Sequence, residues 1–149
     1  MQIGDVCTRN VIECGRKTTA LELAQLMRGS HVGDVVVVDQ PNGKKVAAGI
    51  VTDRDLVVQV LAVEGDPAVV TAGELMGPEL VTAAVASDVY ETVELMRFKG
   101  VRRIPVVDEH GGLVGIVTLD DLLKVIGDQL TLLGRVIARE RLQEEQSRR

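Results

Sequence analysis

Two stretches decide the fold: GIVTDRDL at residues 49–56 and GIVTLDDL at residues 115–122. An octapeptide that returns with its Gly-Ile-Val-Thr and its Asp-Leu intact is the mark of an internal duplication. Working outward, Leu26-Met27-Arg28 reappears as Leu95-Met96-Arg97 and Val37-Val38-Asp39 as Val106-Val107-Asp108, in both cases 69 positions later. The octapeptides are only 66 apart, and the missing three residues fall in one segment, QPNGKKVAA against EHGGLV. Length variation confined to one loop between matching elements is how duplicated folds diverge. The match reaches back to Val6 against Leu75, so it spans most of the chain.

Each copy reads as β-α-β-β-α. NVIEC (residues 10–14) and ELVTA (residues 79–83) are short apolar strand candidates. Apolar residues at helical spacing then place a helix through Leu23, Leu26 and Met27, and another through Val89, Val93 and Met96. Thr19 and Asp88 stand where their N-caps belong. Two strands follow in each copy, joined at Asn42-Gly43 or Gly111-Gly112, both strong hairpin signals. A second helix starts after Thr52 or Thr118. One unit of ~60 residues buries only about 60% of its unfolded surface, so the two copies are expected to pack sheet to sheet around a shared core. The fold class is therefore α/β (α+β-like), two tandem repeats with small packed sheets plus a C-terminal helix. The expected divisions are residues 1–66, 67–127 and a tail at 128–149, with residues 62–73 as the connection. Leu130, Leu133, Val136 and Ile137 share one face of that tail, a partly amphipathic helix expected to pack on the rest of the chain or else on a partner.

Composition narrows the function. Of 149 residues, 46% are hydrophobic, and Tyr90 and Phe98 are the only aromatics, so the core is aliphatic. A net charge of −5 and a pI near 5.1 argue against general nucleic-acid binding, which needs a basic face. No apolar run is long enough to span a bilayer and no export signal precedes the first repeat, so a cytoplasmic protein is expected. Cys7 and Cys14 read as two reduced thiols. With His31 and His110 they lack metal-ligand spacing, so no metal site is expected. No nucleophile–base set is visible either, which points away from catalysis.

The paired repeats, with VVVVD or RIPVVD ahead of G-I-V-T-x-x-D-L, resemble tandem CBS domains, named from cystathionine β-synthase, over roughly residues 3–127. The resemblance implies a regulatory pair, often called a Bateman module, that commonly associates as a homodimer and requires no cofactor. In many members the cleft between repeats binds an adenosyl ligand, AMP, ADP, ATP or S-adenosylmethionine, and signals to a partner protein, here unidentified.

Thr52 with Asp55, and Thr118 with Asp121, have the spacing of a capping box. The same spacing suits a ribose clamp, since an ionised Asp accepts from adjacent hydroxyls. The resemblance implies that Asp55 and Asp121 hold ribose. It places the base against Val11 and Ile12 or Val81 and Thr82, and against Ile50 or Ile116. Arg102 and Arg103 precede a strand where phosphate is often bound, and Arg suits phosphate oxygens. The first copy has Gly33 and Asp34 there, so at most one strong phosphate site is expected, with Arg102 and Arg103. The competing reading is a ligand-independent dimerisation and interaction module.

Overall fold

The computed structural model describes residues 1–148. A short N-terminal helix α1 (Ile3–Val6) leads to β1 (Glu13–Cys14), α2 (Ala20–Ser30), β2 (Asp34–Asp39), β3 (Val46–Thr52) and α3 (Asp53–Leu56). α3 runs straight into a wider π turn, Val57–Leu61. The second copy repeats the order: α4 (Ala72–Leu75), β4 (Ala83–Ala84), α5 (Val89–Lys99), β5 (Arg103–Val107), β6 (Leu113–Thr118) and α6 (Leu119–Ser147).

Each copy forms a three-stranded sheet, β1-β2-β3 and β4-β5-β6, whose first pair is parallel and second antiparallel. The hairpins are those the Asn-Gly and Gly-Gly turns predict. Both carry a register shift at the same place, between Val37 and Val38 and between Val106 and Val107. β1 and β4 keep only two residues each, shorter than the five-residue strands the sequence predicts. Thr19 caps α2 in a reciprocal box with Glu22, and Asp88 caps α5 through the Tyr90 N–H at 2.8 Å.

The cores are aliphatic. Leu23, Met27, Val35, Val37 and Val51 pack inside the first copy, and Met96, Ile104, Val106, Val117 and Leu122 inside the second. Val36, Val38 and Ile116 join the inward faces of the two sheets. The alternation along β2 explains this: Val35 and Val37 face the helices while Val36 and Val38 face the other sheet.

The copies also exchange segments. Ile3, in α1, is fully buried in the second core, while Ala72 and Leu75, in α4, are buried in the first. Backbone bonds hold the exchange: Thr8 N–H to Ile116 O at 2.8 Å, Ile116 N–H to Thr8 O at 2.9 Å, and Ala72 N–H to Thr18 O at 2.7 Å. The packing therefore crosses the 66/67 division in both directions. It also explains the octapeptide glycines. A Cβ on Gly115 would stand 2.7 Å from the Thr8 carbonyl oxygen, and one on Gly49 would stand 2.7 Å from the Cβ of Met76.

The tail differs from expectation. It is the continuation of α6, not a separate piece, and it does not pack on the module. Leu122 is buried, but Leu130, Leu133, Val136 and Ile137 are each at least 60% exposed. The reason is length: 29 residues make a helix of about 43 Å, its buried residue Leu122 lies in the first turn, and the last residue to share a cavity with the N-terminal segment is Leu132.

Candidate functional site

The exchanged segments create two clefts between the copies, each built from an octapeptide of one repeat and the strand-entry segment of the other. Cleft 1 joins the end of β3 and the start of α3 to residues 77–81 and 100–103 and encloses about 420 Å3. Cleft 2 joins the end of β6 and the start of α6 to residues 8–12 and 32–34, again with Arg102 and Arg103, and encloses about 280 Å3.

Most of the candidate residues reach these clefts. Val11, Ile12, Ile116, Thr118 and Asp121 line cleft 2, and Ile50, Thr52 and Val81 line cleft 1. Two do not. Thr82 is exposed and lies outside both; the wall of cleft 1 is formed by Leu80 and Val81, the true counterparts of Val11 and Ile12. A one-residue slip turns a strand side chain to the other face, so Thr82 points away. Asp55 is absent from the lining of cleft 1, where Asp53 and Arg54 appear instead.

The hydrogen bonds distinguish the two candidate ribose carboxylates. Both belong to complete capping boxes. The Thr52 N–H donates to Asp55 Oδ2 at 2.8 Å and the Asp55 N–H donates to Thr52 Oγ1 at 3.1 Å. The Thr118 N–H donates to Asp121 Oδ2 at 2.9 Å, and the Asp121 N–H to Thr118 Oγ1 at 3.2 Å. The difference is the second oxygen. Asp55 Oδ1 accepts from Gln59 Nε2 at 3.2 Å. The counterpart of Gln59 is Val125, which has nothing to donate, and Asp121 Oδ1 has no partner among the described residues. Asp121 thus keeps one carboxylate oxygen with no partner among the described residues, whereas both oxygens of Asp55 already accept a hydrogen bond.

Arg102 and Arg103 line both clefts, because they enter β5 at the junction between the copies. Their backbone is fixed to the helix start: the Leu119 N–H donates to Arg102 O at 2.8 Å, as the Asp53 N–H does to Gly33 O at 3.0 Å in the first copy. Arg103 crosses to the counterpart positions. Its Nη1 donates to Gly33 O at 3.3 Å, and its Nε stands 3.0 Å from Asp34 Oδ2. That Nε–H is buried and not aimed along a hydrogen bond, so the contact is an ion pair held by charge. Arg102 stands 4.0 Å from Asp120 Oδ1 with both side chains exposed, a weak contact. Burial pushes the Asp34 carboxyl above its ordinary value; Arg103 pulls it back down and the nearby Asp53 adds to the rise.

Charge sets the clefts apart. Cleft 2 holds Asp34, Asp120 and Asp121 against Arg102 and Arg103, whereas cleft 1 holds Asp53 and Glu79 against Arg54, Arg102 and Arg103. Asp53 was not singled out in the sequence, and Arg54 stood there only as one of several basic residues, with Arg16, Lys17, Lys44 and Lys45, whose place relative to the cleft the sequence does not fix. Cys7 and Cys14 stay as free thiols, Cys14 being buried, and no group of three metal-ligating side chains gathers among the described residues. Among those residues no helix is long and apolar enough to cross a membrane.

Comparison with known proteins follows the same duplication. The CBS domain family matches residues 3–62 and 72–128. An uncharacterized protein, MK0525 of Methanopyrus kandleri, is 41% identical over 125 residues, 84% of this chain; the chain spans 62% of that protein's length. The crystal structure of Hypoxic Response Protein I with two coordinated zinc ions superimposes with a TM-score of 0.72 at 32% identity, covering 83% of this chain and 98% of that one. The cytosolic domain of the Mg2+ channel MgtE, in complex with ATP, gives a TM-score of 0.69 at 31% identity, covering 83% and 48%. The chain belongs to the CBS-domain family and carries two copies of the domain.

Proposed function

We propose that the chain is a regulatory module that binds an adenosyl ligand in cleft 2 and signals its level to a partner protein. One observation carries this reading: Asp121 leaves an unspent carboxylate oxygen in a cavity that also holds Val11, Ile12, Ile116, Arg102 and Arg103. The apolar residues accept the base, Asp121 with Thr118 accepts the ribose hydroxyls, and the arginines face the phosphate. That a related domain of MgtE holds ATP is consistent with this use of the fold. The acidic excess of cleft 2 favours a ligand of low negative charge, so AMP is expected ahead of ADP and ATP, with S-adenosylmethionine as the alternative cargo. The two clefts draw on the same two arginines, so one phosphate-bearing ligand per chain is expected.

The test is thermal unfolding of nucleotide-stripped protein with each ligand. A ligand at 100 times its Kd raises stability by about 2.7 kcal/mol. A rise with AMP supports the reading; no rise with any of the four at millimolar concentration overturns it. One observation favours the second reading, a ligand-independent interaction module: Arg103 already has a carboxylate partner, Asp34. In that case both clefts stay empty and the ion pair serves only to join the copies.

A further inference from the structure

Arg103 and Asp34 form the one ion pair, among those of the described residues, in which both side chains are mostly withdrawn from water, 29% and 17% exposed. Both line cleft 2, from opposite copies, whereas only Arg103 lines cleft 1. The first copy holds Arg103 by two acceptors, and the hold is imperfect. Its Nη1 donates to the Gly33 carbonyl oxygen at 3.3 Å, but that oxygen already accepts from the Asp53 N–H at 3.0 Å. Its Nε–H is buried and makes no hydrogen bond, although Asp34 Oδ2 stands 3.0 Å away. An unmet buried donor on a charged group is costly, and the charge of the carboxylate is what offsets it here. The other cation of the cleft, Arg102, is 73% exposed and stands 4.0 Å from Asp120. The two arginines therefore differ: Arg102 is available but screened by water, and Arg103 is sheltered but occupied.

We infer that Asp34 sets how strongly cleft 2 discriminates a phosphorylated ligand from the bare nucleoside: it is a built-in competitor for Arg103, and an oxyanion gains that arginine only by displacing the carboxylate. A phosphate can meet the edge of a guanidinium with two parallel hydrogen bonds, which Asp34 at its off-axis angle does not make. Displacement also has a cost. Burial raises the Asp34 carboxyl, Arg103 lowers it and Asp53 raises it again, so without Arg103 this is a part-buried anion beside a second one. Gain and cost oppose each other, and a phosphate adds little net affinity in the unmodified chain. Asp34 acts through Arg103, as a positioning residue. The inference rests on a ligand in cleft 2, but not on that ligand being an adenosyl one.

The test is calorimetric titration of the stripped full chain and of Asp34→Asn with adenosine, AMP and inorganic pyrophosphate. In the unmodified chain adenosine and AMP should bind within about fivefold of each other, since an exposed cation such as Arg102 contributes little. Asp34→Asn should tighten AMP and pyrophosphate by about tenfold or more, the scale of one released charged hydrogen bond, and leave adenosine unchanged. The Arg103 Nε–H proton, assigned in the NMR spectrum by its absence from Arg103→Lys, should shift as either anion binds. An equal gain for adenosine overturns the inference in favour of a structural effect of the substitution. A gain without movement of the Arg103 signal overturns it in favour of plain repulsion by Asp34. No gain for either anion, or AMP far tighter than adenosine in the unmodified chain, overturns it outright. If neither adenosine nor AMP binds, the adenosyl reading fails by itself. Pyrophosphate then decides the inference: binding that appears in Asp34→Asn and moves the Arg103 signal supports it, and its absence overturns it.

Discussion

Arg103 and Asp34 occupy the same position in the two copies of the repeat, and in the folded chain they touch, Nε to Oδ2 at 3.0 Å. The duplication places counterpart residues on either side of one junction, so divergence there produced a complementary pair instead of two like charges. The arginine proposed to face a phosphate is thereby held beside a carboxylate that would compete for it.

Asp34 is half-buried and its carboxyl titrates above the ordinary range, so its ionised form is disfavoured by folding. The folded chain therefore keeps that proton to higher pH than the unfolded chain does. Stability from this group is greatest below the unfolded value near 3.9 and is lost as pH rises through the raised folded value. Asp34→Asn is expected to stabilise by on the order of 0.5–1 kcal/mol, about 2 °C, at pH 7 and to make little difference at pH 4. Parallel melts of the two proteins across that range check it.

Arg103→Ala has the opposite sign. It leaves Asp34 beside Asp53 without its ion-pair partner, and removing one member of a part-buried pair strands the other. A loss of about 1–3 kcal/mol is expected in urea titration at pH 7. Combining it with Asp34→Asn should recover most of that loss.

Gly115→Ala tests the exchanged segments. The added Cβ would stand 2.7 Å from the Thr8 carbonyl, which cannot move without breaking its bonds with Ile116. A destabilisation of about 1–3 kcal/mol is expected from overpacking, seen as a lower Tm.

Much of this was legible in the chain. The 69-then-66 register predicts the duplicated sheets, the hairpins and the caps, because turn chemistry and apolar periodicity are local. The exchange of α1 and α4 was not legible: Ile3 and Leu75 are apolar in either arrangement, and only the tertiary fold says which core takes them. The site was half legible. Thr118, Asp121, Arg102 and Arg103 follow from motif and charge, yet Asp55 and Asp121 look alike until Gln59 and Val125 are placed beside them. Thr82 was misplaced by a single strand residue. For the tail the sequence left two coverings open, the module or a partner, because an apolar stripe announces that something covers it, not what does; the exposure of Leu130 and Leu133 decides against the module.

Asp55→Ala and Asp121→Ala separate cap from clamp. Each loses one capping box, so each should lower stability by about 1 kcal/mol. Only Asp121→Ala should also weaken nucleotide binding, by tenfold or more, since a hydrogen bond to a charged acceptor contributes about 1.5–3 kcal/mol. Melts and titrations on the same two preparations check both halves.

The most direct measurement is calorimetric titration of the stripped full chain with AMP, alone and as Asp121→Ala. The expected result is saturable binding of one AMP per chain, lost or weakened at least tenfold in Asp121→Ala. Absence of binding at millimolar AMP, or equal affinity in the two proteins, would contradict the assignment of cleft 2.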